Sequence, residues 1–125
     1  MLYRKIASKI ESFLKSEKKR MLVVSGARQV GKSYIIREVG MRLYSNFIEV
    51  NMEEDKQSNR LFENARTVED FMIALSTIAG AKMKDSEKTL VFIDEIQAYS
   101  HLLTLAKFLV EDGRFTYIAS GSQLG

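Results

Sequence analysis

Residues 89 to 94 read Thr-Leu-Val-Phe-Ile-Asp, four consecutive apolar residues closed by a carboxylate. The run is too short for a buried helix and shows no alternation, so it predicts a strand covered on both faces, as in a parallel sheet between layers of helices. Its closing Asp94 would then lie at the carboxyl rim of the sheet, where open α/β sheets bind ligands. No other stretch restricts the fold as strongly.

The rest of the apolar pattern agrees with a sheet of this kind. Met21-Leu22-Val23-Val24-Ser25 is a short strand that stops at Gly26. From Phe47 to Met52, the residues Ile48, Val50 and Met52 alternate with Glu49 and Asn51, which predicts a strand near a sheet edge. Phe115 to Ala119 supplies a fourth strand. Leu2, Tyr3, Ile6, Ile10, Phe13 and Leu14 form one stripe of an amphipathic helix over residues 2 to 18. Ile35, Ile36, Val39 and Leu43 form another to about Tyr44, with Gly40 weakening its last turn. Phe71, Met72, Leu75, Ile78 and Ala79 mark a third, capped by Thr67 and ended by Gly80. A fourth carries Leu102, Leu105 and Leu109, with Ser100 as its expected cap and Gly113 closing it. Glu53-Glu54-Asp55 reads as a solvated loop, followed by a short helix around residues 58 to 65. Strands alternating with helices predict an α/β fold of three layers around a mostly parallel open sheet of about four strands.

At 125 residues and 46% hydrophobic content, residues 1 to 125 read as one domain with an ordinary core. There is no cysteine, hence no disulfide or thiolate metal site, which suits a reducing cytoplasm. No run approaches the roughly 20 apolar residues of a membrane span. The net charge of +3 is unevenly spread: residues 1 to 42 carry 11 Lys/Arg against 3 Asp/Glu, and residues 43 to 100 carry 6 against 11. A basic half could steer polyanions, but a solvated basic helix face beside a phosphate loop accounts for it.

Directly after the first strand stands GARQVGKS, and directly after that a helix. Two glycines permit a tight path, and the backbone N–H groups and helix start surround one small volume suited to an anion. The candidate phosphate-binding run is Gly26, Ala27, Arg28, Gln29, Val30, Gly31, Lys32, Ser33 and Tyr34, with Arg28 and Gln29 facing solvent. Lys32 can reach the β and γ phosphates, and the Ser33 hydroxyl can ligate magnesium. Asp94 is the candidate partner for that metal, directly or through water. Glu95 beside it could orient and deprotonate an attacking water. His101, alone at a helix start, reads as a surface residue or one that supports the site from outside, not as a catalytic group.

GARQVGKS, then LVFIDEIQ, then a strand running into SGS resembles the Walker A, Walker B and sensor segments of AAA-like P-loop ATPases. The resemblance is closest to prokaryotic ATP-binding proteins with a GxRxxGK[ST] loop and a DEIQ-type Walker B. It implies ATP with Mg2+, with Lys32 and Ser33 on phosphates and metal, Asp94 on the metal side and Glu95 as catalytic carboxylate. It also implies a polar sensor at Ser120, with Ser122 as the alternative. Members of the family continue much further, so the resemblance implies the N-terminal part of a longer protein, lacking a fifth strand, a helical lid and a C-terminal region through which nucleic acid could be bound. An exposed sheet edge is then expected to promote self-association. Two functions follow: magnesium-dependent ATP hydrolysis, or a regulatory nucleotide switch with negligible turnover. No NKxD guanine-reading motif occurs, and no acceptor pocket of a small-molecule kinase is evident.

Overall fold

The structure is a computed structural model and describes residues 2–16, 21–26 and 31–122. In chain order it contains α1 (Leu2–Lys15), β1 (Met21–Ser25), α2 (Lys32–Leu43), β2 (Asn46–Asn51), α3 (Met52–Gln57), α4 (Val68–Ala79), β3 (Thr89–Asp94), α5 (Ser100–Asp112) and β4 (Thr116–Gly121). Short 3-10 turns cover Gly80–Lys84, Ser86–Lys88 and Ile96–Ala98. No helix among the described residues is long and apolar enough to cross a membrane.

All four strands are parallel, in the order β1-β4-β3-β2. Every residue of β3 is buried, as its unbroken apolar run predicts for an interior strand. On one face Ile48, Val50, Val91, Ile93, Tyr117 and Ala119 pack against Phe71 and Leu75 of α4 and Leu102, Leu105 and Leu109 of α5. On the other, Phe47, Leu90, Phe92 and Ile118 meet Ile10 and Phe13 of α1 and Ile35, Ile36 and Val39 of α2. Successive strand residues therefore serve opposite cores, the period-2 geometry of a strand inside a three-layer domain. Arg37 on α2 also grips Glu49, the polar position of β2, through two bonds of 2.6 and 2.7 Å.

Several local expectations are met and several are corrected. Thr67 caps α4 by accepting from the Asp70 N–H, and the glycines at 80 and 113 end α4 and α5. Strand β2 lies at a sheet edge, as its alternation predicts, but stops at Asn51, and Met52 is the buried first residue of α3. The acidic stretch Glu53-Glu54-Asp55 is the body of that helix rather than a solvated loop. Asn51 caps it by accepting from Glu54 N at 3.0 Å, and three carboxylates in a first turn are favoured by the helix dipole. Residues 58 to 65 form turns, not a helix. Ser100 lies inside α5; the flanking position is Tyr99, which makes no side-chain cap. Strand β4 runs to Gly121, so Ser120 is part of the sheet. The α1 stripe ends with the helix at Lys15, and the end expected at residue 18 lies outside the described residues.

Candidate functional site

The carboxyl ends of the strands converge on a cleft of about 260 Å3 lined by Gly31, Lys32, Ser33, Tyr34, Asn51, Asp94 and Glu95. The ends of β2 and β3 and the first turn of α2 meet here, with Ser120 of β4 bonded to Asp94 beside them, because every strand points the same way. Gly26 at the end of β1 has φ 143° and Gly31 before α2 has φ 69°, backbone conformations that a side chain at Cβ would resist. No side chain caps the start of α2 at Gly31, so its first-turn N–H groups face the cleft without the usual hydroxyl or carboxylate acceptor. Of the glycine-bounded run, Ala27, Arg28, Gln29 and Val30 lie outside the described residues.

Lys32 is 4% exposed, and its ammonium donates to the Gly26 carbonyl at 3.0 Å. The carboxylate of Asp94 holds the centre. Its Oδ2 accepts from the Ser33 hydroxyl at 3.0 Å and its Oδ1 from the buried Ser120 hydroxyl at 2.6 Å. Three residues far apart in sequence are thus joined through one carboxylate. Ser122 stands past the end of β4 and is partly exposed. Tyr34 flanks the cleft at 61% exposure and its hydroxyl reaches Glu38 at 3.5 Å.

Glu95 is buried, and its backbone is left-handed, with φ 51° and ψ 49°. It ends the strand and opens the 3-10 turn, whose Gln97 donates from Nε2 to Glu95 Oε1 at 3.0 Å. The turn is anchored from behind. Tyr99 donates to Asp55 Oδ2 at 2.8 Å, and Lys56 donates to the Ala98 carbonyl at 3.2 Å. Asp55 also accepts from the backbone N–H groups of Leu61 and Phe62, both at 3.0 Å. Burial first, then the hydrogen bond to Asp55, pushes the Tyr99 hydroxyl well above the usual tyrosine range, so it remains a donor. His101 lies beside Tyr99, with Nε2 2.9 Å from the Phe62 carbonyl, half-buried and outside the cleft.

Sequence reasoning missed Asn51 and Gln97. Asn51 is the register partner of Asp94 and lines the cleft. Its signal was present: an Asx residue closing a strand and followed by three acidic residues is a helix start. A buried ammonium, a helix start without a side-chain cap, two hydroxyls and two carboxylates form a setting that suits a phosphate chain. Ser33 and Asp94 are adjacent hard oxygen donors, the chemistry that fits magnesium.

A parallel α/β sheet with Gly26 following β1 and Gly31 opening α2 at its carboxyl rim defines a nucleotide-binding P-loop ATPase fold. Within that class, residues 18–125 match the family model described as an AAA domain, and the chain belongs to that family. No curated protein matches the chain. Among known structures, 14 chains match. One is C. elegans PCH-2, with a TM-score of 0.50, 16% identity, and an alignment covering 99% of this chain and 35% of that one. The chain thus spans about a third of that protein's length, and the likeness concerns the fold.

Proposed function

We propose that this chain binds ATP with magnesium and forms the hydrolytic core of a P-loop ATPase. The observation that carries the reading is the Asp94 carboxylate held between Ser33, next to the buried Lys32, and Ser120 on the neighbouring strand. In this reading Gly26 to Ser33 wrap the phosphates, with Tyr34 flanking them, and Lys32 exchanges the Gly26 carbonyl for phosphate oxygens. Ser33 and Asp94 hold the metal, which when bound neutralises charge on the β and γ phosphates. Ser120, rather than Ser122, is the polar sensor, because its hydroxyl already contacts the metal-side carboxylate. Glu95 orients the attacking water and accepts its proton. Adenine, as opposed to another base, is supported by the family.

Calorimetry and single-turnover hydrolysis test this reading together. Lys32→Ala removes a charge-assisted contact worth roughly 1.5 to 3 kcal/mol, so ATP affinity should fall about tenfold or more. Glu95→Gln should leave binding intact while hydrolysis falls steeply. Equal ATP affinity for parent and Lys32→Ala would refute the phosphate-binding role. Tight binding without turnover in the parent would identify a regulatory switch instead.

A further inference from the structure

Gln97 makes an asymmetric use of its amide. The NH2 end donates to Glu95 Oε1 at 3.0 Å, while the carbonyl Oε1 is buried with no hydrogen-bond partner among the described residues. A glutamine serving only to fill space would settle with both ends satisfied, because an orphaned buried acceptor is costly. Rotating the amide would set its carbonyl against the Glu95 carboxylate, so a single orientation is fixed. The backbone around it is also fixed: Ala98 N bonds Glu95 O at 3.1 Å, Tyr99 N bonds Ile96 O at 3.2 Å, and Asp55 and Lys56 hold Tyr99 and Ala98. Glu95 needs such a support. It sits past the last residue of β3, its left-handed backbone turns it out of the strand, and three rotatable bonds separate its carboxylate from the main chain. Gln97 is not among the residues that line the cleft, and its link to the site is its bond to the Glu95 carboxylate.

We propose that Gln97 is a positioning residue that fixes the Glu95 carboxylate toward the nucleotide cleft through its amide N–H. The proposal rests on the reading of Glu95 as the group that orients the attacking water. It assigns Gln97 no contact with nucleotide, and its role is exhausted by what it does to Glu95.

Gln97→Met keeps the length of the side chain and removes the donor, and Gln97→Asn keeps the amide but withdraws it by one methylene. Both are compared with the parent and with each change placed on Glu95→Ala. Side-chain relaxation of Glu95 by NMR, without nucleotide, should show it losing order in both Gln97 variants. Single-turnover hydrolysis should fall about tenfold in each, as expected for a misplaced reacting group, while ATP affinity stays within about twofold of the parent. On Glu95→Ala, neither change should slow hydrolysis further. Unchanged order of Glu95 in Gln97→Met and Gln97→Asn would overturn the proposal, as would an equal loss of rate with and without the Glu95 carboxylate, the mark of a merely structural residue. If Glu95→Ala hydrolyses ATP as fast as the parent, the role given to Glu95 fails and the proposed positioning function of Gln97 fails with it, whereas an ordered Glu95 that loosens in the variants separates that failure from one in the contact itself.

Discussion

Tyr117 places a phenol in the apolar cluster beneath α4 and α5, against the rings of Phe71 and Phe115, and its hydroxyl has no hydrogen-bond partner among the described residues. Burial pushes its pKa up, with the charge of Asp112 adding to the rise, so the hydroxyl stays protonated at neutral pH. An unsatisfied buried hydroxyl costs about 1 to 3 kcal/mol, and phenylalanine would keep the ring packing without it. Tyr117→Phe is therefore expected to raise stability in urea titrations by about 1 kcal/mol; lower stability would mean that the hydroxyl has a partner. Asp55 is the opposite case, a buried carboxylate that accepts from two backbone N–H groups and the Tyr99 hydroxyl. Asp55→Ala strands all three donors and should cost about 3 kcal/mol or more by the same titration. A loss below about 1 kcal/mol would show that the turns at 58 to 65 are held by something else.

At the scale of elements, Gly40 decides how closely α2 can approach the sheet. A Cβ there would lie 2.7 Å from both Leu90 Cδ2 and Phe47 Cε1. Alanine is the better helix former by about 1 kcal/mol, but overpacking costs about 1 to 3 kcal/mol. Gly40→Ala should thus lower the melting temperature, and a rise would mean that the Phe47 ring moves aside at little cost. The same glycine shows where sequence reading reaches its limit. Propensity marks it as a weak point in the last turn of the helix, whereas the helix continues to Leu43 and the glycine serves packing across layers. Patterns carried by neighbouring residues were legible: the buried run of β3, the Thr67 cap, the glycines that end α4 and α5, and the strand and helix around the phosphate loop. Helix α3 was missed although Asn51 offered its cap, because Glu-Glu-Asp reads as solvated until Asp55 is seen bonded to Tyr99, which is distant in sequence. In the site, the types of Lys32, Ser33, Asp94 and Glu95 could be read from spacing. The Ser120 contact with Asp94 needed β4 beside β3, and the grip of Gln97 on Glu95 needed the left-handed turn.

For the molecule as a whole, β1 is, among the described residues, the sheet edge opposite β2. Among the described residues it pairs only with β4, and Val23 is 51% exposed. A short apolar edge without proline or charge is a template for pairing with another chain. Concentration-dependent association is expected in light scattering, and Val23→Lys should weaken it; a monomer at every concentration would refute the expectation. The same topology has a consequence in time. Met21 lies against Tyr117, so β1 is joined to its neighbour only after the whole stretch through β4 exists. Loop-closure entropy delays such a pairing, and during synthesis Met-Leu-Val-Val must wait uncovered while the rest of the sheet emerges. That joint is tied to the cleft by two contacts: Gly26, which follows β1, accepts from Lys32, and Ser120 of β4 donates to Asp94. The Asp94 carboxylate therefore gains its Ser120 partner only once β4 is in place, and a chain interrupted before β4 would lack both that contact and the neighbour of β1.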